Sequence, residues 1–304
     1  MNRSFFKRLA ERHQEEFKKN VLHLDKCGVF RNPRTKEQVP VQRFLTDEDA
    51  EAGMIFYEGF RNEILDAAKS KYDFHGRHKS MYVDMLRSEH IPFNIFIPMG
   101  IDNATRKHAA FVLNKFLVNY RIASVDEIMI EDDRFCDNED NLKDKTAFDA
   151  YVAYTSTDGK RGGIGIEVKY TEASYEIGAK EKRFCHDDSS PYWNVTRWSG
   201  CFTEDPDKVK TRNDFRQIWR NHLLGLSMVK NKDIDYFTHI HLYSKENGHF
   251  EVVLPVYEKK LLTDKGRRSF RAVTFEELFM ELGREYTDER FAKWVTYLKD
   301  RYLF

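Results

Sequence analysis

The chain has 304 residues, with 50 Lys or Arg balanced by 50 Asp or Glu, and a formal charge of zero. Its 41% hydrophobic and 14% aromatic content supplies a substantial core and excludes a disordered protein. A nucleic-acid binder needs only locally basic surface, so the charge balance neither supports nor excludes one. Cys27, Cys136, Cys185 and Cys201 are scattered without C-x-x-C spacing, which fits reduced thiols better than a disulfide frame or a zinc site. No apolar run has the length of a membrane span and the charged N-terminus lacks a signal-peptide core, so a cytoplasmic protein with no membrane partner is expected.

The first segment reads as helical, with Phe6, Leu9, His13 and Phe17 at helical spacing. Thr46-Asp47 is a capping signal for a second helix whose stripe is Ala52, Phe56, Phe60, Ile64 and Ala68. These helices form either one wall of a cleft or a purely structural cap. Residues 75–100 read as a helix end running into Pro92, then an apolar segment to Pro98. Asp102 or Asn103 caps an amphipathic helix with the stripe Ala109, Val112, Leu113, Phe116, Leu117 and Tyr120. A short strand, Ile128–Ile130, ends in Glu131-Asp132-Asp133. With Asp137, Glu139, Asp140 and Asp144 this reads as a solvated acidic loop, in which Glu131 alone, at the strand end, is a candidate ligand.

The stretch Thr146 to Glu172 carries the chemistry. Phe148–Tyr154 and Gly163–Tyr170 read as two strands, joined by Asp158-Gly159 and Gly162-Gly163, residues that reverse a strand readily. Asp149 opens the first strand, while Glu167 and Lys169, two apart, share a face of the second. An antiparallel hairpin brings Asp149 beside them. Two carboxylates and an amine so grouped suit a hard divalent cation.

Asp149 followed by Glu167-Val168-Lys169 resembles the D…(D/E)-x-K signature of the PD-(D/E)XK nuclease superfamily, the restriction-endonuclease-like fold. The proline of that name is absent, since Phe148 precedes Asp149. The longer string FDAYVAY…GIEVKYTE resembles a bacterial restriction-endonuclease-like subgroup. The resemblance implies an α/β (α+β) protein with an αβββαβ core, its mixed central sheet flanked by helices. It implies a Mg²⁺-dependent nuclease, with Mn²⁺ able to substitute, hydrolysing phosphodiester bonds in double-stranded DNA, in restriction or phage defence. Asp149, Glu167 and the Val168 carbonyl would hold the metal, and Lys169 would orient the attacking water. In that family a Glu from the helix before the core sheet often joins the metal shell, which points to Glu89; the residues alone leave it equally an ordinary helix-end carboxylate. A Gln on the helix after the hairpin is also characteristic, and Gln217 in FRQIWRNHLL matches it. Arg216 and Arg220 on that helix are phosphate-contact candidates or part of a solvated face.

Beyond the hairpin, Glu172 is a candidate support for Lys169 or a neighbouring backbone group. Residues 184–210 read as a loop in which Trp193, Trp198 and Arg197 either stack on bases or anchor the loop to the body. The helix over 211–230 has the stripe Phe215, Ile218, Trp219, His222, Leu223 and Leu226, which makes His222 a packed residue. Tyr236–Tyr243 reads as a strand with His239 and His241 in structural roles, and Val252–Tyr257 as another. Lys265, Arg267, Arg268 and Arg271 belong to the most basic stretch of the chain, the best footprint for a phosphate backbone. Thr274 and Glu277 form a capping box, and a last helix runs from Thr287 with Phe291, Trp294, Leu298 and Tyr302 buried. These elements divide into an N-terminal helical extension (1–75), a nuclease-like core (76–258) and a basic segment with C-terminal helices (259–304), expected to form one unit. Two coordinated cuts in a duplex need two active sites, so a homodimer is compatible with this reading. A non-catalytic binding module on the same fold, or a hydrolase acting on RNA, are the alternatives.

Overall fold

The computed structural model describes residues 3–76, 78–131, 141–173, 178–203 and 212–304. Helix α1 (Arg3–Asn20) turns Phe6, Ala10 and Phe17 inward at helical spacing. A two-stranded antiparallel ribbon follows, β1 (Gly28–Arg31) with β2 (Gln38–Val41). Thr46 caps α2 (Asp47–Glu51) by accepting the Asp49 N–H, but that helix lasts only five residues. The chain turns at Gly53, where φ is +73°, and restarts through a 3₁₀ turn as α3 (Arg61–Lys71). The single helix expected here is therefore two pieces; Phe56, Phe60, Ile64 and Ala68 are buried as the stripe requires, whereas Ala52 is exposed.

After α4 (Lys79–Val83), Pro92 sits in the first turn of α5 (Ile91–Gly100), where a missing N–H costs nothing. Pro92 thus opens a helix; the expected helix end is a turn instead. Helix α6 (Asn103–Asn114) starts with a reciprocal capping box between Asp102 and Thr105. The central strands are β3 (Ile122–Ile130), β4 (Ala150–Ser156) and β5 (Arg161–Lys169). Next come α7 (Ala179–His186), α8 (Pro191–Ser199) and α9 (Asn213–Lys230), so much of the stretch expected as a loop is helical. Strand β6 (Tyr236–Tyr243) leads into α10 (Gly248–Leu261) and α11 (Asp264–Arg268). The strand expected over residues 252–257 lies inside α10, whose Phe250, Val253, Leu254, Tyr257 and Leu261 are buried at helical spacing. Strand β7 (Phe270–Thr274), α12 (Phe275–Glu285) and α13 (Glu289–Tyr302) complete the described chain, with the expected Thr274–Glu277 capping box in place.

The main sheet has the order β3-β4-β5-β6-β7, antiparallel through β5 and parallel from β5 to β7. Parallel pairing of β5 with β6 requires a crossover, and the segment containing α7, α8 and α9 supplies it. The residue 259–304 segment adds more than helices, because its β7 forms an edge of this sheet. Between Ile122 and Glu127 the β3–β4 register shifts twice, so β3 carries two extra residues relative to its partner.

Each face of the sheet has its own core. One unites α1, α3, α5, α6, α12 and α13 against Ile130, Val152, Ile166 and Val168. The other unites α7, α8, α9 and α10 against Phe148, Tyr151, Phe237 and Phe270. Within the first, Arg301 is fully buried and bonds the Ile55 carbonyl, the Tyr297 hydroxyl and His90 Nε2, the last at 3.1 Å. His90 is held neutral, its pKa far below the ordinary value because burial and the neighbouring Arg301 disfavour a second cation. His90 is thus a structural residue.

Candidate active site

The end of β3 and the start of β4 meet at one rung, which β5 crosses two residues before its own end. Ile130 pairs with Ala150, and Ala150 with Ile166, so the next rung aligns Glu131, Asp149 and Glu167. The Glu131 N–H donating to the Asp149 carbonyl at 3.2 Å carries the β3–β4 pairing onto that rung. Local sequence fixes Asp149 from the other side. A Cβ on Gly165 would stand 2.3 Å from the Phe148 ring, so only glycine lets Phe148 lie over β5 and pin the start of β4. The Asp149 carboxylate then accepts the Val168 N–H at 2.7 Å, replacing the backbone acceptor that β4 no longer supplies.

Glu167 is buried, only 4% exposed, and both its oxygens are engaged. Lys169 Nζ donates to Oε1 at 2.5 Å, Gln217 Nε2 also donates to Oε1, and Asn221 Nδ2 donates to Oε2 at 2.5 Å. Gln217 and Asn221 stand one turn apart on α9, so one face of that helix grips both sides of the carboxylate.

The electrostatics follow from packing acids together in a dry place. Burial, then the Glu167 charge, raises the Asp149 carboxyl well above the usual carboxylate range, against the opposing pull of Lys169. Burial and the charges of Glu167 and Glu89 push Glu131 up to about 7, while a Tyr72 hydrogen bond and Lys169 work the other way. Burial and Glu131 raise the Tyr72 phenol in turn.

Glu89 lies in the turn before α5, its carboxylate 2.8 Å from Arg87 Nε and close enough to contribute to the Glu131 shift. That turn is fastened to the site by Glu172, which accepts the Ser88 N–H at 3.1 Å and the Tyr170 N–H at 3.0 Å. Glu172 therefore supports backbone groups. Val168, between the two signature residues, is buried in the core of the opposite face.

Other sequence candidates lie elsewhere. Arg216 and Arg220 are largely buried, one bonded to Asn213 at 2.8 Å and the other 3.8 Å from Glu181, so neither sits on a solvated helix face. Lys265, Arg267 and Arg268 lie on α11, where Lys265 and Arg268 share a cavity with Tyr236 at the start of β6, whereas Glu167 pairs with His241 towards its end. Arg267 pairs with Asp264. Arg271 on β7 pairs with Ile240, one residue short of that His241, but its guanidinium is turned to the backbone carbonyls of Phe116, Arg267 and Phe270. Trp193 anchors α8 through its indole N–H to the Cys185 carbonyl at 3.0 Å, while Trp198 is exposed. His239 and His241 are buried with no hydrogen-bond partner among the described residues. Cys27, Cys185 and Cys201 are free thiols; Cys136, the Asp132-Asp133 run, Asp137, Glu139 and Asp140 lie outside the described residues.

Sequence reasoning missed Asn221 and Tyr72. The signal for Asn221 was present, since it follows Gln217 by four residues. Tyr72 had none, because only the tertiary fold brings α3 to the end of β3.

A five-stranded mixed sheet between helical layers, with acids and a lysine at the end of its central hairpin, defines a nuclease-type fold. The chain belongs to the PD-(D/E)XK nuclease superfamily, whose family model matches residues 2–304. Members of that superfamily are usually nucleases and generally use divalent metals. No curated protein and no solved structure matches the chain. Among the described residues no helix is long and apolar enough to cross a membrane.

The donor set fits a hard cation in kind, since Glu131, Asp149 and Glu167 bring mutually repelling carboxylates together with Lys169 as their counter-charge. Among the described residues, however, no three acidic, His or Cys ligands converge on one point, because Glu167 is turned into Lys169, Gln217 and Asn221.

Proposed function

We propose that this protein is a metal-dependent nuclease that hydrolyses phosphodiester bonds in double-stranded DNA. The observation that carries the reading is the rung Glu131–Asp149–Glu167 with Lys169 beside it. Asp149, Glu167 and the Val168 carbonyl would hold Mg²⁺, or Mn²⁺ in its place, with Glu131 and Glu89 as neighbouring carboxylates. Once bound, such a cation polarises a phosphoryl oxygen and acidifies water near neutral pH. Lys169, freed from Glu167, orients the attacking water and offsets the charge that builds on phosphorus in the transition state. Gln217 and Asn221 fix the Glu167 carboxylate, and Glu172 holds the turn that carries Glu89. Restriction or phage defence is the role this chemistry suits, and a homodimer would supply the two sites that a double-strand cut needs.

Supercoiled plasmid incubated with Mg²⁺, Mn²⁺ or EDTA tests the reading. Cleavage is expected with either metal, and none in EDTA or with Glu167→Gln or Lys169→Ala proteins that retain wild-type circular dichroism. Folded variants that cut at the wild-type rate would remove these residues from the site. A protein that shifts DNA in a gel but never cuts it with either metal is a binding module on a nuclease fold.

A further inference from the structure

At the opposite end of the sheet from the acidic rung, a cavity of about 670 Å³ opens between the connection from α6 to β3, the start of β6 and α11. Among its lining residues are Asn119, Tyr120, Asp235, Tyr236, Lys265 and Arg268. Gly162 pairs with Tyr236 and Glu167 with His241, five residues farther along parallel strands, which sets the cavity about 17 Å from Glu167.

Three features of this cavity converge on one ligand chemistry. Lys265 and Arg268 are exposed cations with no ion-pair partner among the described residues, unlike Arg267, which pairs with Asp264, and Arg271, whose guanidinium is taken up by backbone carbonyls. Tyr120 and Tyr236 stack on one another with ring centroids 3.6 Å apart and planes 13° from parallel. The pair is held rigid: the Tyr236 hydroxyl donates to Asp158 at 2.6 Å, and Lys160 Nζ lies 5.2 Å from the centre of the Tyr236 ring. Asn119 and Asp235 add hydrogen-bonding groups, Asp235 being fixed by the Arg161 N–H at 3.0 Å. Unpaired cations suit a phosphate, a preorganised aromatic wall suits a base, and carboxylate and amide groups suit ribose hydroxyls or exocyclic amines. The volume lies within the range of small-molecule sites.

We propose that this cavity is a binding site for a nucleoside phosphate, separate from the acidic rung. The ligand is either a free nucleotide or the phosphorylated end of a nucleic-acid strand, since both present the same base, sugar and phosphate. The site stands independently of the nuclease reading.

The test is isothermal titration in EDTA with AMP, adenosine, inorganic phosphate and a 5′-phosphorylated oligonucleotide. AMP is expected to bind roughly tenfold or more tightly than adenosine or phosphate alone. The doubly substituted Lys265→Ala, Arg268→Ala protein should lose roughly tenfold or more in AMP affinity, and Tyr120→Leu should weaken AMP more than phosphate. Glu167→Gln should bind AMP as the wild type does, which separates this site from the rung whatever the rung's activity. An oligonucleotide that competes with AMP identifies strand ends as the source, and one that does not identifies free nucleotide. No AMP binding at millimolar concentration, or binding indifferent to loss of both cations, would overturn the proposal.

Discussion

Acidification should expose the energetic role of one buried histidine. His222 sits on α9 with its Nε2 2.9 Å from the Ser269 hydroxyl and Nδ1 3.3 Å from the Tyr257 hydroxyl, fully out of water. Burial lowers its pKa from 6.5 to about 3. The unfolded chain therefore takes up a proton as pH falls below about 6.5, while the folded chain refuses one until about pH 3. The stability contribution is complete above that upper value and is lost progressively as pH falls through the window. Between pH 7 and pH 5 this one site should lose about 2 kcal/mol. His90, His239 and His241 are also buried with lowered pKa values and act in the same direction. Asp149 and Glu131, whose pKa values are raised, act oppositely and gain stability as pH falls. Comparison with His222→Gln cancels those other groups. Urea unfolding of both proteins at pH 7 and pH 5 should show the variant's deficit shrinking by about 2 kcal/mol at the lower pH. A deficit constant to within about 0.5 kcal/mol would refute the assignment of a buried neutral imidazole.

Two further outcomes follow from the site itself. Asp149→Asn keeps an acceptor for the Val168 N–H and removes a carboxylate that burial and Glu167 disfavour. It should raise the melting temperature in EDTA at pH 8 by about 2–4 °C, measured by calorimetry, and a fall would contradict the crowding of charge described above. Asn221→Ala removes one side of the grip on Glu167 and should cut the plasmid-cleavage rate about 10–100-fold while raising the metal concentration needed for half-maximal rate.

The central hairpin was legible because its chemistry is local: alternation, a glycine turn and Glu167-Val168-Lys169 on one strand. Helix α10 was misread because Val252, Val253 and Val256 form a β-branched run, yet its buried positions recur at helical spacing from an Asn247 cap. Strand β3 was seen only at its end. Its buried residues Ile122, Val125 and Ile130, with partly buried Ile128, are spaced by three, three and two, because two register shifts break the alternation a strand reading depends on. The basic stretch around Arg268 was visible as charge, but only the sheet topology places it at the end away from Glu167. Asn221 was overlooked on a helix buried nearly all round, where the apolar stripe drew attention from the polar pair that Gln217 and Asn221 make one turn apart.

The two extra residues of β3 also have a mechanical consequence. Both lie between Ile122 and Glu127, well before the acidic rung, and from Glu127 onward the pairing with β4 runs without interruption to Ile130. A bulge takes up a change in strand length by local bending and twist. The early part of β3 thus works as an expansion joint: residues gained or lost around Ser124 and Asp126 are absorbed there, and the alignment of Glu131 with Asp149 does not feel them. One end of the strand can take up a change in length while the other keeps its index.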